Sequence, residues 1–215
     1  MQDIGVRRVT EPTIEELEEY TRRLIKLSYP GKYVFTCTRC GRCCSGGPNV
    51  ALTVFDVVRM ARFLRMEWKE FLKNYVKVII ADVIPHMLLR GNEKGHCLFL
   101  AWKHDSKSLC VIYPARPMRC RVYPILVESL RPQKLYIDPK SPGVGQGKER
   151  DIPQKLVEAY VKERIRHYTI IHHYIVGRGY EPLQALYKAI EDAWNEATQG
   201  VEWADLDYIE SLGST

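Results

Sequence analysis

Cys37-Thr-Arg-Cys40-Gly-Arg-Cys43-Cys44 gathers four of the seven cysteines into eight positions. Two-residue spacing lets successive thiolates turn inward toward one metal ion or cluster while the backbone loops around the sulfurs. Thiolates are soft ligands that select zinc or iron–sulfur clusters over magnesium or calcium. A free cysteine often serves only as a small apolar residue, a reading that suits scattered cysteines but not four in one octet. The run Cys37, Cys40, Cys43 opens like a bacterial ferredoxin site, yet Cys44 follows at once and no Cys-Pro comes next, so a plain ferredoxin domain does not fit. Adjacent side chains tend to point in different directions. Cys44 is therefore expected to be either a spectator or a ligand to a second centre.

Outward from the octet, Cys97, Cys110 and Cys120 supply further thiols. Seven exceed the four of one closed site and fall one short of two all-thiolate centres. His96 and His104 are candidates for an eighth ligand, although each reads first as a surface histidine. His167, His172 and His173 lack the i, i+4 spacing of a helical metal site. Five arginines flank the cysteines: Arg39 and Arg42 inside the octet, and Arg116, Arg119 and Arg121 around Cys120. Guanidinium groups there would offset the negative charge of a thiolate-bound centre, or would bind an anionic ligand such as a phosphate or carboxylate.

Three blocks carry a family resemblance: CTRCGRCC at 37–44, GHCLFL at 95–100 and CVIYPARPMRCRVYP at 110–124. In order and spacing they resemble the YkgJ-like CxxCxxCC cysteine-cluster proteins, described as zinc- or iron-chelating or as iron–sulfur-cluster-containing. The pattern carries over to Cys37, Cys40, Cys43, Cys44, Cys97, Cys110 and Cys120, and to Arg116, Pro117 and Arg121. The resemblance implies metal binding and no particular reaction. A related cysteine motif occurs in flagellin lysine methylases, but nothing here resembles a glycine-rich loop for S-adenosylmethionine.

Around this core the expected fold class is α+β and predominantly helical, a single domain over 1–215. A metal-binding core at 37–124 is expected to be wrapped by helices, with a helical C-terminal subdomain at 151–215. Residues 13–27 read as an amphipathic helix with Thr13 and Glu16 as a capping box. Residues 32–36 read as a short strand, and a Gly-Gly-Pro turn follows the octet at 46–48. Thr53 is expected to cap a helix through Leu64, and a second helix runs over 67–76. The stretch HMLLRGNEKGHCLFLAW, residues 86–102, reads as one β-hairpin with Cys97 opening its second strand. Three prolines between 114 and 124 predict a turn or short helix, then a strand at 125–127. Residues 138–150 read as a flexible loop and candidate boundary; their glycines miss the phosphate-loop spacing. Helices are expected from Pro153 to about Val176 and from Pro182 onward, followed by a short acidic segment.

At 215 residues the chain can build a core without cross-links, so cysteine staples are not required. No apolar run approaches the roughly 18 residues of a membrane span, and the N-terminus does not read as a secretory signal. The expected location is the cytosol, where disulfides are disfavoured and an odd cysteine count cannot pair completely. A formal charge of +6 is modest and favours anionic partners without identifying one. No Ser-His-Asp arrangement, HExxH motif or phosphate loop stands out. The leading functional expectation is an iron–sulfur protein, with a 4Fe-4S cluster, a redox or electron-transfer role and a redox partner protein. The alternatives are a zinc-stabilised module contacting RNA, the ribosome or an acidic protein, and a metalloenzyme with an open coordination position.

Overall fold

The computed structural model describes residues 13–45, 50–128, 130–131 and 134–213. In chain order its elements begin with α1 (Ile14–Arg23), β1 (Ile25–Leu27), β2 (Lys32–Phe35), α2 (Arg42–Ser45) and β3 (Ala51–Leu52). Next come α3 (Val54–Phe63), α4 (Trp68–Tyr75), β4 (Val76–Ala81), β5 (Ile84–Leu89), β6 (Leu100–Trp102) and β7 (Ser108–Cys110). A 3-10 turn at Tyr113–Ala115 leads into α5 (Met118–Val122), β8 (Ile125–Val127), β9 (Leu135–Ile137) and β10 (Val144–Asp151). The chain then runs through α6 (Gln154–His172), a π-helical turn at His173–Gly177, α7 (Pro182–Ala197), a 3-10 turn at Glu202–Ala204 and α8 (Leu206–Ser211). Among the described residues helix exceeds strand, 46% against 22%, but the fold is a mixed one with several small sheets, not a helical bundle around one hairpin. The expected turn at 46–48 lies outside the described residues.

Thr13 caps α1 as expected: its hydroxyl accepts the Glu16 amide, and Glu16 accepts the Thr13 amide in return. The helix stops at Arg23, short of the expected Leu27. Residues 25–27 instead form β1, which pairs antiparallel with β9, and β9 also pairs with β8. Local periodicity extended the helix on paper; pairing with a strand more than a hundred residues away ends it.

The single hairpin expected at 86–102 is replaced by two. Strand β5 pairs backward with β4, from Val76↔Leu89 to Ala81↔Ile84. Asp82 and Val83 make the connection at φ 48° and 61°, left-handed conformations that suit a tight two-residue hairpin loop. Strand β6 pairs forward with β7. The glycine-bounded turn still closes between the two hairpins through a Gly91↔Cys97 bridge and an Asn92 N–H donated to the His96 carbonyl at 2.7 Å. The expected loop at 138–150 is also corrected. Its second half is β10, antiparallel to β2, with a register shift between Val144 and Glu149. Gly143 lies so close to this partner that a Cβ would stand 2.0 Å from the Thr36 carbonyl oxygen. That close approach explains one glycine of the run without any phosphate.

Helix α3 is the axis of the interior: every residue from Val54 to Ala61 is buried. Thr53 caps it in a box with Asp56. One apolar cluster joins α3 and α4 to Ile171 of α6 and to Leu186, Ala189, Ile190, Ala193 and Ala197 of α7. Within it lies a buried charged network. Arg59 donates to Asp56 Oδ1 at 2.8 Å, to Glu163 Oε1 and Oε2 at 2.6 and 2.9 Å, and to the Trp203 carbonyl at 2.9 Å. Buried ions persist when paired and hydrogen-bonded in this way. His167, earlier set aside as a ligand, is buried on α6 with Nδ1 facing the Val54 amide at 3.4 Å. Among the described residues no helix is long and apolar enough to cross a membrane.

Candidate metal centre

Local backbone rules shape the octet first. Arg39 and Gly41 occupy left-handed conformations, φ 53° and 71°, and turn the chain between Cys37 and Cys43. Gly41 is buried, and a Cβ there would meet Trp102 Cη2 at 2.6 Å. The residue must therefore be glycine for two reasons, conformation and the indole against it. The turn starts α2, whose Cys44 and Ser45 amides both donate to the Gly41 carbonyl at 2.9 Å.

Tertiary hydrogen bonds then attach the octet to the second block. The Cys97 amide donates to the Cys44 carbonyl at 2.7 Å, and the Ser108 amide donates to the Arg39 carbonyl at 2.8 Å. Cys110 pairs with Leu100 across the β6–β7 hairpin. Cys120 lies on α5, its amide held by the Pro117 carbonyl at 2.8 Å. Cys43, Cys44, Cys97, Cys110 and Cys120 stand within electrostatic reach of one another.

The thiols shift one another's pKa values. Cys43 and Cys44 have their sulfurs 3.7 Å apart, so the adjacent side chains lie together and do not diverge as expected. Their shared hydrogen bond lowers Cys43 to about 7 and raises Cys44. Burial raises Cys97, Cys110 and Cys120. The charges of Cys43 and Cys97 push Cys110 and Cys120 further up, and Cys110 adds to the shift at Cys120. Cys37 and Cys40 differ: both are exposed, on the irregular segment that follows β2. All seven cysteines are free thiols.

The donor set fits a soft metal in kind, being thiols in a partly buried setting. As the side chains stand, no three His, Cys, Asp or Glu groups among the described residues form a metal-holding cluster. His96 sits in the turn at 91–97, its amide donating to Asn92 Oδ1 at 3.0 Å, and His104 is exposed beyond β6.

The arginines divide by partner. Arg116 lies over the Tyr113 ring at 3.7 Å, donates to the Tyr113 carbonyl at 2.8 Å and approaches Glu210 at 3.7 Å. Its charge also lowers Cys110, a smaller effect than burial. Arg121 is buried and pairs with Glu210 at 2.6 Å as well as with the Pro114 carbonyl. Arg119 donates to the Ile125 carbonyl at 3.1 Å, and Arg42 to the Lys140 carbonyl at 3.2 Å. Arg39 is exposed. Two residues missed in the sequence stand out. Glu210, in the acidic tail, holds two of the five arginines. Asp56, in the first turn of α3, accepts the Met118 amide at 2.9 Å. The T-x-x-D cap was a legible signal for Asp56, but its long-range partners were not.

A partly buried group of thiols gathered from three blocks defines a cysteine-cluster domain. Residues 36–141, just under half of the chain, match the model of the family described as "CxxCxxCC: Putative zinc- or iron-chelating domain", and this stretch is a domain of that family. The match supports metal binding. The chain is also similar to uncharacterized protein MJ0661 of Methanocaldococcus jannaschii, 33% identical over 100 residues. That match covers 46% of this chain and 50% of the relative, so the chain spans about half the relative's length. No solved structure matches the chain.

Proposed function

We propose that the protein holds an iron–sulfur cluster through its thiolates and serves a redox or electron-transfer role with a partner protein in the cytosol. The observation that supports this reading is the gathering of Cys43, Cys44, Cys97, Cys110 and Cys120 within electrostatic reach of one another. Cys37 and Cys40, on a segment turned by Arg39 and Gly41, are the remaining candidate ligands. A cluster so bound supplies reversible one-electron chemistry. The chain's own part is to hold the sulfurs, to shield them partly from water and to place Arg116 beside Cys110. Arg39, Arg42, Arg119 and Arg121 complete the basic surroundings, where an anionic ligand or RNA would also bind. The test is iron and sulfide quantitation on anaerobically isolated protein, with EPR spectroscopy. A protein that stays colourless after anaerobic reconstitution would sink this reading.

Zinc is the second reading, and one distance favours it. Zinc–sulfur bonds of about 2.3 Å in a tetrahedron set neighbouring sulfurs about 3.8 Å apart, close to the 3.7 Å between Cys43 and Cys44. Stoichiometric zinc without sulfide would select it, and the protein would then be a zinc-stabilised module for RNA or an acidic protein. A metalloenzyme would need an exchangeable coordination position, which solvent relaxation of a cobalt-substituted sample would detect.

A further inference from the structure

Cys120 is carried by α5, a five-residue helix with no side-chain cap from its own N-cap residue, Pro117. The first amides of a helix have no partner inside it and must find one elsewhere. For α5 that partner comes from far away in sequence: the Met118 N–H donates to Asp56 Oδ1 at 2.9 Å, from the first turn of α3. Asp56 is 1% exposed, so the bond is shielded from water. From Met118 the constraint passes to the thiol through one short turn, because the Pro117 carbonyl accepts both the Cys120 amide at 2.8 Å and the Arg121 amide at 3.1 Å.

Asp56 is itself immobilised. The same Oδ1 accepts from Arg59, while Oδ2 accepts the Thr53 amide at 3.0 Å. Arg59 is gripped in turn by Glu163 of α6 and the Trp203 carbonyl. Glu163 and Trp203 lie beyond residue 141, outside the span of the family match. The C-terminal helices therefore reach the cysteine group through this buried chain of charged hydrogen bonds.

We propose that Asp56 is a positioning residue for the metal centre. Its carboxylate pins the first amide of α5 and so sets where the Cys120 thiol stands, and the Arg59–Glu163 pair anchors that carboxylate from the C-terminal helices. The proposal rests on the thiolate-metal reading above. Outer-shell groups that orient ligands typically change metal affinity by about 10–100-fold when removed. A merely structural residue would change folding stability instead.

The test is competitive zinc(II) titration of the full chain, with cobalt(II) as a spectroscopic probe of thiolate coordination. D56A is expected to weaken zinc binding about tenfold or more and to reduce the sulfur-to-cobalt charge-transfer absorbance per bound ion. E163Q removes a charge from the same network but leaves the Asp56–Met118 bond in place. It is expected to lose stability and to weaken zinc binding far less than D56A does. Met118→Pro deletes the N–H itself at a helix position that tolerates proline and is expected to weaken zinc binding as D56A does. Amide exchange of zinc-loaded wild type supplies a readout that needs no variant: the Met118 N–H should be strongly protected. Undiminished zinc affinity in D56A or Met118→Pro, an equal loss in E163Q, or an unprotected Met118 amide would each overturn the proposal. Wild type that takes up neither zinc nor cobalt would instead overturn the metal reading, a separate outcome visible before any variant is made.

Discussion

Gly41 shows how one residue serves two constraints. Its φ of 71° lies where other L-residues are strained, and the Trp102 indole occupies the space of a Cβ. G41A is expected to cost roughly 2 kcal/mol or more in urea unfolding, from the left-handed backbone and the clash together. Combining it with W102A should relieve the clash part of the G41A penalty and leave the backbone part. A double variant with no such relief would show that the indole is not the obstacle. His167 makes a different prediction. Burial lowers its pKa to about 4, from an ordinary 6.5, so the folded state holds it neutral. A depressed folded value means stability that is present above pH 6.5 and lost as pH falls toward 4. The shift corresponds to about 3 kcal/mol at most. H167Q should flatten the dependence of the urea midpoint between pH 6.5 and 4; an unchanged slope would exclude His167 as its source.

Among the elements, α3 carries the largest electrostatic liability. Arg59 stands between two buried carboxylates, Asp56 and Glu163, whose side chains are 1% and 10% exposed. Burial pushes Glu163 up, and Arg59 pulls it back. R59M would leave both acids without their cation and should cost about 3–5 kcal/mol, read as a drop in thermal midpoint. A stability near wild type would mean that the acids are solvated or protonated at little cost. The element scale is also where local patterns were most and least informative. Asp56 completes a second box at Thr53, and the expected Thr13–Glu16 capping box and the expected Thr53 cap both formed. So did the short strand at 32–35, the helix-then-strand after the prolines and the two long C-terminal helices. Strand partners are not local. Residues 25–27 left a helical pattern for β9, residues 84–89 paired backward in place of forward, and a glycine-rich stretch became β10.

For the whole molecule, metal and proton should compete for the same sulfurs. Cys97, Cys110 and Cys120 are raised above an ordinary value of about 9, mainly by burial. In metal-free protein a raised folded value gives stability that is full below pH 9 and is lost as pH climbs through the folded values. Cys43, lowered to about 7, works in the opposite sense and is outnumbered. Zinc reverses the trend, because binding must displace the thiol protons and so strengthens as pH rises. Isothermal titration in buffers of different ionisation enthalpy should therefore detect proton release between pH 6 and 8. Zinc uptake without proton release would place the metal elsewhere than these thiols. Chelation should also lower the thermal midpoint, since a centre joining three segments opposes unfolding.

The sequence alone determined the chemistry: seven free thiols in three blocks, soft ligands with arginines beside them. It also set the local helix starts, because caps and spacing act over three or four residues. Tertiary structure decided which blocks meet. The Cys44 carbonyl on the Cys97 amide and the Asp56 carboxylate at the head of α5 join residues far apart in the chain. Such contacts form only when α3 and the C-terminal helices are packed around one apolar cluster. Hydrogen-bonding capacity is written in the residue types, but the partner that satisfies it is chosen by packing.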